Sequence, residues 1–450
     1  MAEQTKTKKK RSSTIVHSRY GCAVGASYTV AAIKGGVPIA HCSPGCVEKQ
    51  YHLLTFNNGF QGSGIAAGGD MPSVNFGENE VVFGGVKKLD AEIQSALKIV
   101  KGDLFVVLSG CSAGLIGDDV SSVVKKYKEL GYNIVYAEVP GFKGNNLYGH
   151  EVVVKAIIDQ FVGDYKGKKR KRLINLWSEV PYFNTNWRGD LTELKRILEG
   201  AGFEVNVFFG PHSRGVEEWK SIPKASFNLL VSPWVGLDTV KHLEKKYNQP
   251  YLHIPVLPVG EEATSEFLRK VVAFSGLDSS KAEAFIEKEA KEYYYYLEHF
   301  ADFFSEYWFG LPSRFATIGD SAYNIAFTKF LADQIGLIPV RQIISDNPPA
   351  KYRKELSELY HNLSEGVSTE VEYIEDGYII EQELEKVDFG NSKPLILGSS
   401  WELDVAKKRK ALLVEIGAPI GDEVVINRSY IGYRGALTLL EKIYTKTVGG

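Results

Sequence analysis

Short runs of apolar, β-branched and aromatic residues recur along the chain, each ending in small or turn-forming residues before a helical pattern takes over. The clearest are LFVVLSGCSAG (104–114), YNIVYAEVPGF (132–142), RLINLWSEVP (172–181), FEVNVFFGP (203–211), FNLLVSPW (227–234), RFATIGDS (314–321), VRQIIS (340–345), PLILGSS (394–400) and LLVEIGAPI (412–420). Continuous apolar strands that alternate with helices predict buried, mainly parallel sheets made of βαβ units, hence an α/β fold class. The loops after such strands form the crevice where open α/β sheets bind ligands.

Two features divide the chain. The polar, basic stretch GDYKGKKRKR (163–172) has the composition of a linker before a new strand. Residues 281–308 then form one long helical pattern, of the kind that bridges domains or packs between them. Its four successive tyrosines, Tyr293 to Tyr296, point all round a helix and are expected to serve core and interface packing. The simplest division is a basic tail over 1–13 and three Rossmann-like α/β domains over 14–165, 166–300 and 301–450.

Composition narrows the function. A chain of 450 residues exceeds what one core usually supports, which agrees with several domains. A net charge of -2 gives no reason to expect nucleic acid as a partner. The concentrated basic stretch, Lys6 to Arg11, reads as a solvated tail. No uncharged apolar run is long enough for a membrane span, and the N-terminus lacks the apolar core of a secretory signal. Four cysteines, at 22, 42, 46 and 111, are too few for a disulfide scaffold in so long a chain, so a cytoplasmic protein is expected.

Those cysteines carry the candidate chemistry. GSGIAAGG (62–69) lacks the strand before and helix after that a dinucleotide loop needs, and the chain has no GxxxxGK[ST] loop, so it is not expected to use ATP itself. Cys42 and Cys46, four apart with His41 alongside, keep a zinc site open. Cys22, Cys46 and Cys111 each follow a glycine in separate segments. Glycine beside a thiolate lets backbone approach a bulky inorganic cluster, and thiolates are the usual ligands of iron–sulfur clusters. The plain alternative is that these are small buried side chains.

Taken together, RYGCAVGASYTVAAIKGGVPIAHCSPGC, NEVVFGG and SGCSAGLIGDDV resemble, in order, the cluster-binding segments of the nitrogenase component 1 family. The resemblance extends through VPGF, RFATIGDSAYNIAFTKFL, LGSS, EIGAPI and GYRGALTLLEKIY, and so spans most of the chain. It implies a fold of nitrogenase component 1 type and a P-cluster-type iron–sulfur cluster (8Fe–7S-like) shared with an α-like subunit in an α2β2 heterotetramer. Cys22, Cys46 and Cys111 would be this chain's metal ligands. Phe83 would lie where an ATP-dependent iron protein docks, although on residue pattern alone it reads as an ordinary packed side chain. No cysteine follows Cys111 and INRSYIGYRGA contains no histidine, so the ligands that α-like chains give the active-site cofactor are missing. The resemblance is therefore to the β-like, electron-relaying chain, with no catalytic residue of its own.

Three departures separate the chain from standard β chains. Cys42 stands where the family has glycine, Gly141 stands where molybdenum-nitrogenase β chains commonly have a cluster-ligating serine, and 57–71 form a glycine-rich insertion. A nitrogenase-like reductase, acting on dinitrogen, a carbon–sulfur bond or another small unsaturated molecule, is as compatible as a dinitrogen reducer. The alternatives are a cofactor-assembly scaffold subunit of the same superfamily, a tetrapyrrole-type reductase component, and a small-molecule-binding α/β protein with structural cysteines.

Overall fold

The computed structural model describes residues 15–16, 18–56, 71–307, 311–361, 363–364 and 366–448, without the side chains of 51 and 53–56. The basic stretch at Lys6–Arg11 and nearly all of the glycine-rich segment, GSGIAAGG included, lie outside the described residues.

Three sheets follow one another along the chain, and every strand pairing in them is parallel. The first contains β1 (Gly36–His41), β2 (Leu104–Ser109) and β3 (Ile134–Glu138) in that order. The second contains β4 (Arg170–Trp177), β5 (Glu204–Val207), β6 (Ala225–Val231) and β7 (Tyr251–Ile254), ordered β5-β4-β6-β7. The third contains β8 (Arg314–Gly319), β9 (Ile338–Ile344), β10 (Val371–Tyr373), β11 (Leu395–Gly398) and β12 (Leu412–Glu415), ordered β10-β9-β8-β11-β12. In the second and third sheets the chain starts centrally and winds outward both ways, which creates a switch point beside the first strand of each.

The buried runs became the central strands. Every residue of β2 is buried, as a strand covered on both faces requires. Three strands have no counterpart among the predicted runs, for local reasons. β1 carries Pro38, tolerated because β1 is an edge strand. β7 and β10 are short edge strands whose residues are mostly half-buried, so neither shows a continuous apolar run. β4 already begins at Arg170, inside the basic stretch read as a linker, and the Arg170 guanidinium pairs with Glu204 on β5.

The long helix spans Ser280–Tyr307 and packs against the helices Glu261–Ser275 and Gly432–Val448. Phe300, Phe303 and Phe304 surround the Tyr444 ring at centroid distances of 5.3, 5.8 and 5.0 Å. Of the four tyrosines only Tyr293 is core. Tyr294, Tyr295 and Tyr296 are about half exposed in this chain, so the core part of the expected core and interface packing falls to Tyr293 alone.

Two polar ties cross the molecule. Buried Arg19, before the first sheet, forms an ion pair with buried Glu402 and donates to the Ser399 hydroxyl at 2.8 Å, in the third sheet's region. Asp190, on the helix Trp187–Gly200, accepts from the Tyr323 hydroxyl, from Ser429 Oγ at 2.7 Å and from the Tyr430 amide at 3.1 Å. A buried carboxyl is tolerated only when its lone pairs are met in this way.

Burial nevertheless dominates Asp190 and pushes its pKa up to about 7. An unfolded aspartate titrates near 4, so over the interval between those values the folded chain binds more protons than the unfolded one. Stability from this group therefore falls as pH rises from about 4 to about 7, by at most about 1.4 kcal/mol per pH unit. Asp190→Asn is expected to flatten that part of the profile of urea midpoint against pH. An equally steep profile in the variant contradicts the assignment.

Candidate functional site

The first sheet sets the site. Register pairs His41 with Ser109 and Ser109 with Glu138, so β1, β2 and β3 end side by side. The backbone stays in step beyond the strands: the Gly110 amide donates to the His41 carbonyl at 3.1 Å and the Val139 amide to the Ser109 carbonyl at 2.9 Å. Each strand end then delivers one element of the site. After β1 come Cys42 and the helix Pro44–Phe56, which carries Cys46; after β2 comes Cys111, first residue of the helix Cys111–Ile116; after β3 comes Gly141. A hydrogen bond of 2.9 Å between the Ser43 and Ser112 hydroxyls fastens the first two loops together.

Cys22 comes from upstream and is held against the third loop. It forms an antiparallel bridge with Asn145, the Ala23 amide donates to the Gly144 carbonyl at 3.1 Å, and the Asn146 amide donates to the Gly21 carbonyl at 3.0 Å. Gly141 lies between two of the sulfurs. Its amide donates to Cys111 Sγ at 3.0 Å, and a Cβ at this position would stand 2.9 Å from Cys22 Cβ and 3.4 Å from each of Cys22 Sγ and Cys111 Sγ. Buried Gln50, on the helix of Cys46, points Nε2 at Cys22 Sγ from 3.9 Å.

The four thiols fall into two environments. Cys22, Cys46 and Cys111 are half-buried and unbridged, whereas Cys42 is fully buried. Gly110 leaves room for it: a Cβ there would come within 2.7 Å of Cys42 Cβ. A hydrogen bond to Cys46, together with burial, holds the Cys42 proton far above the usual thiol range. The same bond lowers Cys46 to about 6, helped by the Ser43 backbone and by Lys49 and opposed by partial burial. Burial raises Cys22, with Cys46 and Cys111 adding to the effect, so these thiols share one electrostatic neighbourhood.

His41 does not join the thiols. Its Nε2 lies 2.9 Å from Asp118 Oδ2, and burial lowers its pKa, which keeps the ring neutral. Among the described residues no three His, Cys, Asp or Glu side chains are arranged around a single metal ion, so the zinc reading finds no support. The donor set does fit a sulfide cluster: three accessible thiols, a backbone N–H aimed at one sulfur, and a glycine whose missing side chain leaves space beside two of them.

Phe83 ends the short helix Glu78–Phe83 and is 83% exposed, with Val81 and Val82 also exposed. The residue-pattern reading of Phe83 as packed is therefore corrected. Gly84 turns the chain at φ 87°, and the Gly85 amide donates to both carboxylate oxygens of Asp118 at 3.1 and 3.0 Å. Asp118 thus ties the turn behind Phe83 to His41, the residue before Cys42. Sequence reading missed this link, as it missed Gln50 and the sulfur-directed amide of Gly141; the double glycine of VVFGG was the available sign of a turn needing special backbone.

A model of nitrogenase component 1 type oxidoreductases matches residues 22–447. The chain belongs to that family. The nitrogenase molybdenum-iron protein beta chain of Klebsiella pneumoniae is 26% identical over 434 residues, covering 90% of this chain and 78% of its own length. That of Azotobacter vinelandii is 27% identical over 453 residues, covering 93% and 80%. A light-independent protochlorophyllide reductase chain of Angiopteris evecta is 23% identical, covering 82% and 70%. The solved structure "Nitrogenase Cp1 at pH 6.5" superposes with a TM-score of 0.78 at 21% identity, over 98% of this chain and 94% of its own, and shows the same fold. The chain is an oxidoreductase subunit whose relatives are β-type chains of nitrogenases and nitrogenase-like reductases.

Gly141→Ala puts a methyl group against Cys22 Cβ. The substitution is expected to cost about 1–3 kcal/mol of stability through overpacking, and to lower the iron retained after anaerobic purification. Iron content equal to wild type would show that the gap beside the two sulfurs is not needed by a cluster.

Proposed function

We propose that this chain is the β-like electron-relay subunit of a nitrogenase or nitrogenase-like reductase. Cys22, Cys46 and Cys111 would hold a P-cluster-type iron–sulfur cluster completed by an α-like partner in an α2β2 assembly. The observation that carries this reading is the convergence of three half-buried, unbridged thiols from separate segments, Cys22 and Cys111 against Gly141 and Cys46 in the same electrostatic neighbourhood. Half-exposure suits a group shared across an interface, since a site enclosed by one chain would bury its ligands.

An iron–sulfur cluster supplies one-electron redox chemistry when bound. The residues of this chain do the rest. Cys46 is inclined to the thiolate form before any metal arrives, and Cys42 stabilises it by donating to its sulfur. The Gly141 amide aimed at Cys111 Sγ, and Gln50 beside Cys22, stabilise negative charge on the sulfurs, which is how surrounding donors raise a cluster's potential. The exposed Val81–Phe83 edge is the docking surface for an ATP-dependent iron protein, and Asp118 fixes it to the strand that carries the thiol loop. The cofactor that reduces substrate would belong to the partner, and an oxygen-protected cytoplasm suits ligands of this kind.

A tetrapyrrole-type reductase is the second reading. It is favoured by the similarity to the light-independent protochlorophyllide reductase chain and by Gly141, which offers no hydroxyl ligand beside Cys22 and Cys111.

The test is iron and acid-labile sulfide content with EPR on the complex purified anaerobically, wild type against Cys46→Ala and Phe83→Ala. A fused double-cubane signature that Cys46→Ala abolishes supports the relay, and a single-cubane signature moves the assignment to the second reading. Phe83→Ala is expected to keep the iron but lose most iron-protein-dependent reduction. Unchanged iron in Cys46→Ala sinks both readings.

A further inference from the structure

The proposed function uses three of the four thiols and leaves Cys42 over. Cys42 is fully buried but not isolated, because its thiol donates a hydrogen bond to the Cys46 sulfur and the two sulfurs are therefore neighbours. Backbone fixes both ends of this contact. On one side, the Phe76 amide donates to the Cys42 carbonyl at 3.2 Å, and the Gly110 amide to the carbonyl of the preceding His41 at 3.1 Å. On the other, the Cys46 amide donates to the Ser43 carbonyl at 3.0 Å, which closes a turn directly after Cys42 at the start of the helix Pro44–Phe56. The Ser43 hydroxyl is tied in turn to that of Ser112 at 2.9 Å. A disulfide tolerates little misplacement of its two residues, so a contact held by backbone in this way favours one.

The other thiols are arranged differently. Cys22 and Cys111 stand on either side of Gly141, whose missing Cβ would lie 3.4 Å from each sulfur, and the Gly141 amide engages Cys111 Sγ at 3.0 Å. Cys22 has Gln50 Nε2 beside it at 3.9 Å. Exposure also gives the paired sulfurs separate parts. Half-buried Cys46 is reachable from solvent, whereas buried Cys42 is reachable only from Cys46.

We propose that Cys42 and Cys46 form a redox-active dithiol in the chain before any cluster is loaded, and that a small external disulfide oxidises it to an intrachain disulfide. The Cys46 sulfur attacks one sulfur of the external disulfide, whose S–S bond breaks and releases one thiol, leaving a mixed disulfide on Cys46. The Cys42 sulfur then attacks the Cys46 sulfur, the mixed disulfide breaks, and the second thiol leaves with the proton that Cys42 gave up. The two protein thiols lose two electrons and two protons, and the external disulfide gains both. The product withdraws Cys46 from the three ligands, so loading of a cluster waits on reduction of the pair. That consequence rests on the proposed function; the disulfide itself does not.

The test uses the full-length chain, purified anaerobically in reduced, iron-free form, exposed to oxidised glutathione, then alkylated and mapped by mass spectrometry. A Cys42–Cys46 linkage that dithiothreitol reverses is expected, formed faster in the folded chain than in urea. Cys42→Ala is expected to stop at glutathione bound to Cys46. Wild-type chain that keeps Cys42 free, links it to Cys22 or Cys111, or forms the pair no faster than in urea overturns the proposal. Mapping involves no iron, so this failure is distinct from unchanged iron in Cys46→Ala, which tells against the cluster instead. Iron uptake from ferrous iron and sulfide is expected to be mostly lost in the oxidised chain and restored by reduction; equal uptake in the two forms overturns the role in loading. If the chain does not fold without its partner, the same mapping on the intact complex after anaerobic chelation of iron decides. The Cys42–Cys46 linkage there supports the proposal, and its absence overturns it.

Discussion

Everything at the thiol site depends on three parallel strands ending level with one another. Parallel pairing of β1, β2 and β3 in register, continued by the Gly110 and Val139 amides, brings residues 42, 111 and 141 to one edge although some 70 and then 30 positions separate them. No side chain has to reach far. Cys46 rides on the helix that leaves the first loop, and Cys22 is pinned to the third loop by backbone bonds. Small residues are required where loops cross this closely, which explains glycine at 110 and 141 more directly than freedom of the backbone does.

The same arrangement separates the thiols chemically. Cys42 points into the protein and keeps its proton, whereas Cys46, four residues on, is exposed enough to ionise and receives the hydrogen bond that helps it do so. The fourth cysteine thus acts as a hydrogen-bond donor to Cys46, which would be a cluster ligand on the proposed function. On the other side of β1, the His41–Asp118–Gly85 chain carries the rigidity of the strand end outward to the turn behind Phe83. On the proposed function, electron entry and electron storage would be built on the two sides of one strand terminus.

Much of this was legible in the sequence, and what was not has physical reasons. Continuous apolar runs marked the central strands because burial on both faces leaves no polar alternation to confuse the reading. Edge strands escaped, since β1 tolerates Pro38 and β7 and β10 are only partly covered. The cysteines were visible as glycine-flanked thiols, yet their convergence depends on strand register, which residue spacing does not encode. The residue pattern alone read Phe83 as packed and could not say which of Tyr293 to Tyr296 is core, because an exposed apolar side chain looks, in sequence, like a buried one.

The central claim is that Cys22, Cys46 and Cys111 together, without Cys42, hold a cluster shared with a partner chain. Anomalous scattering at the iron absorption edge from crystals of the intact complex tests it most directly. Several iron positions are expected against the three half-exposed sulfurs, on the side facing the partner, with Cys42 unbonded. Iron absent from this edge, or held by Cys42 with His41, would contradict it.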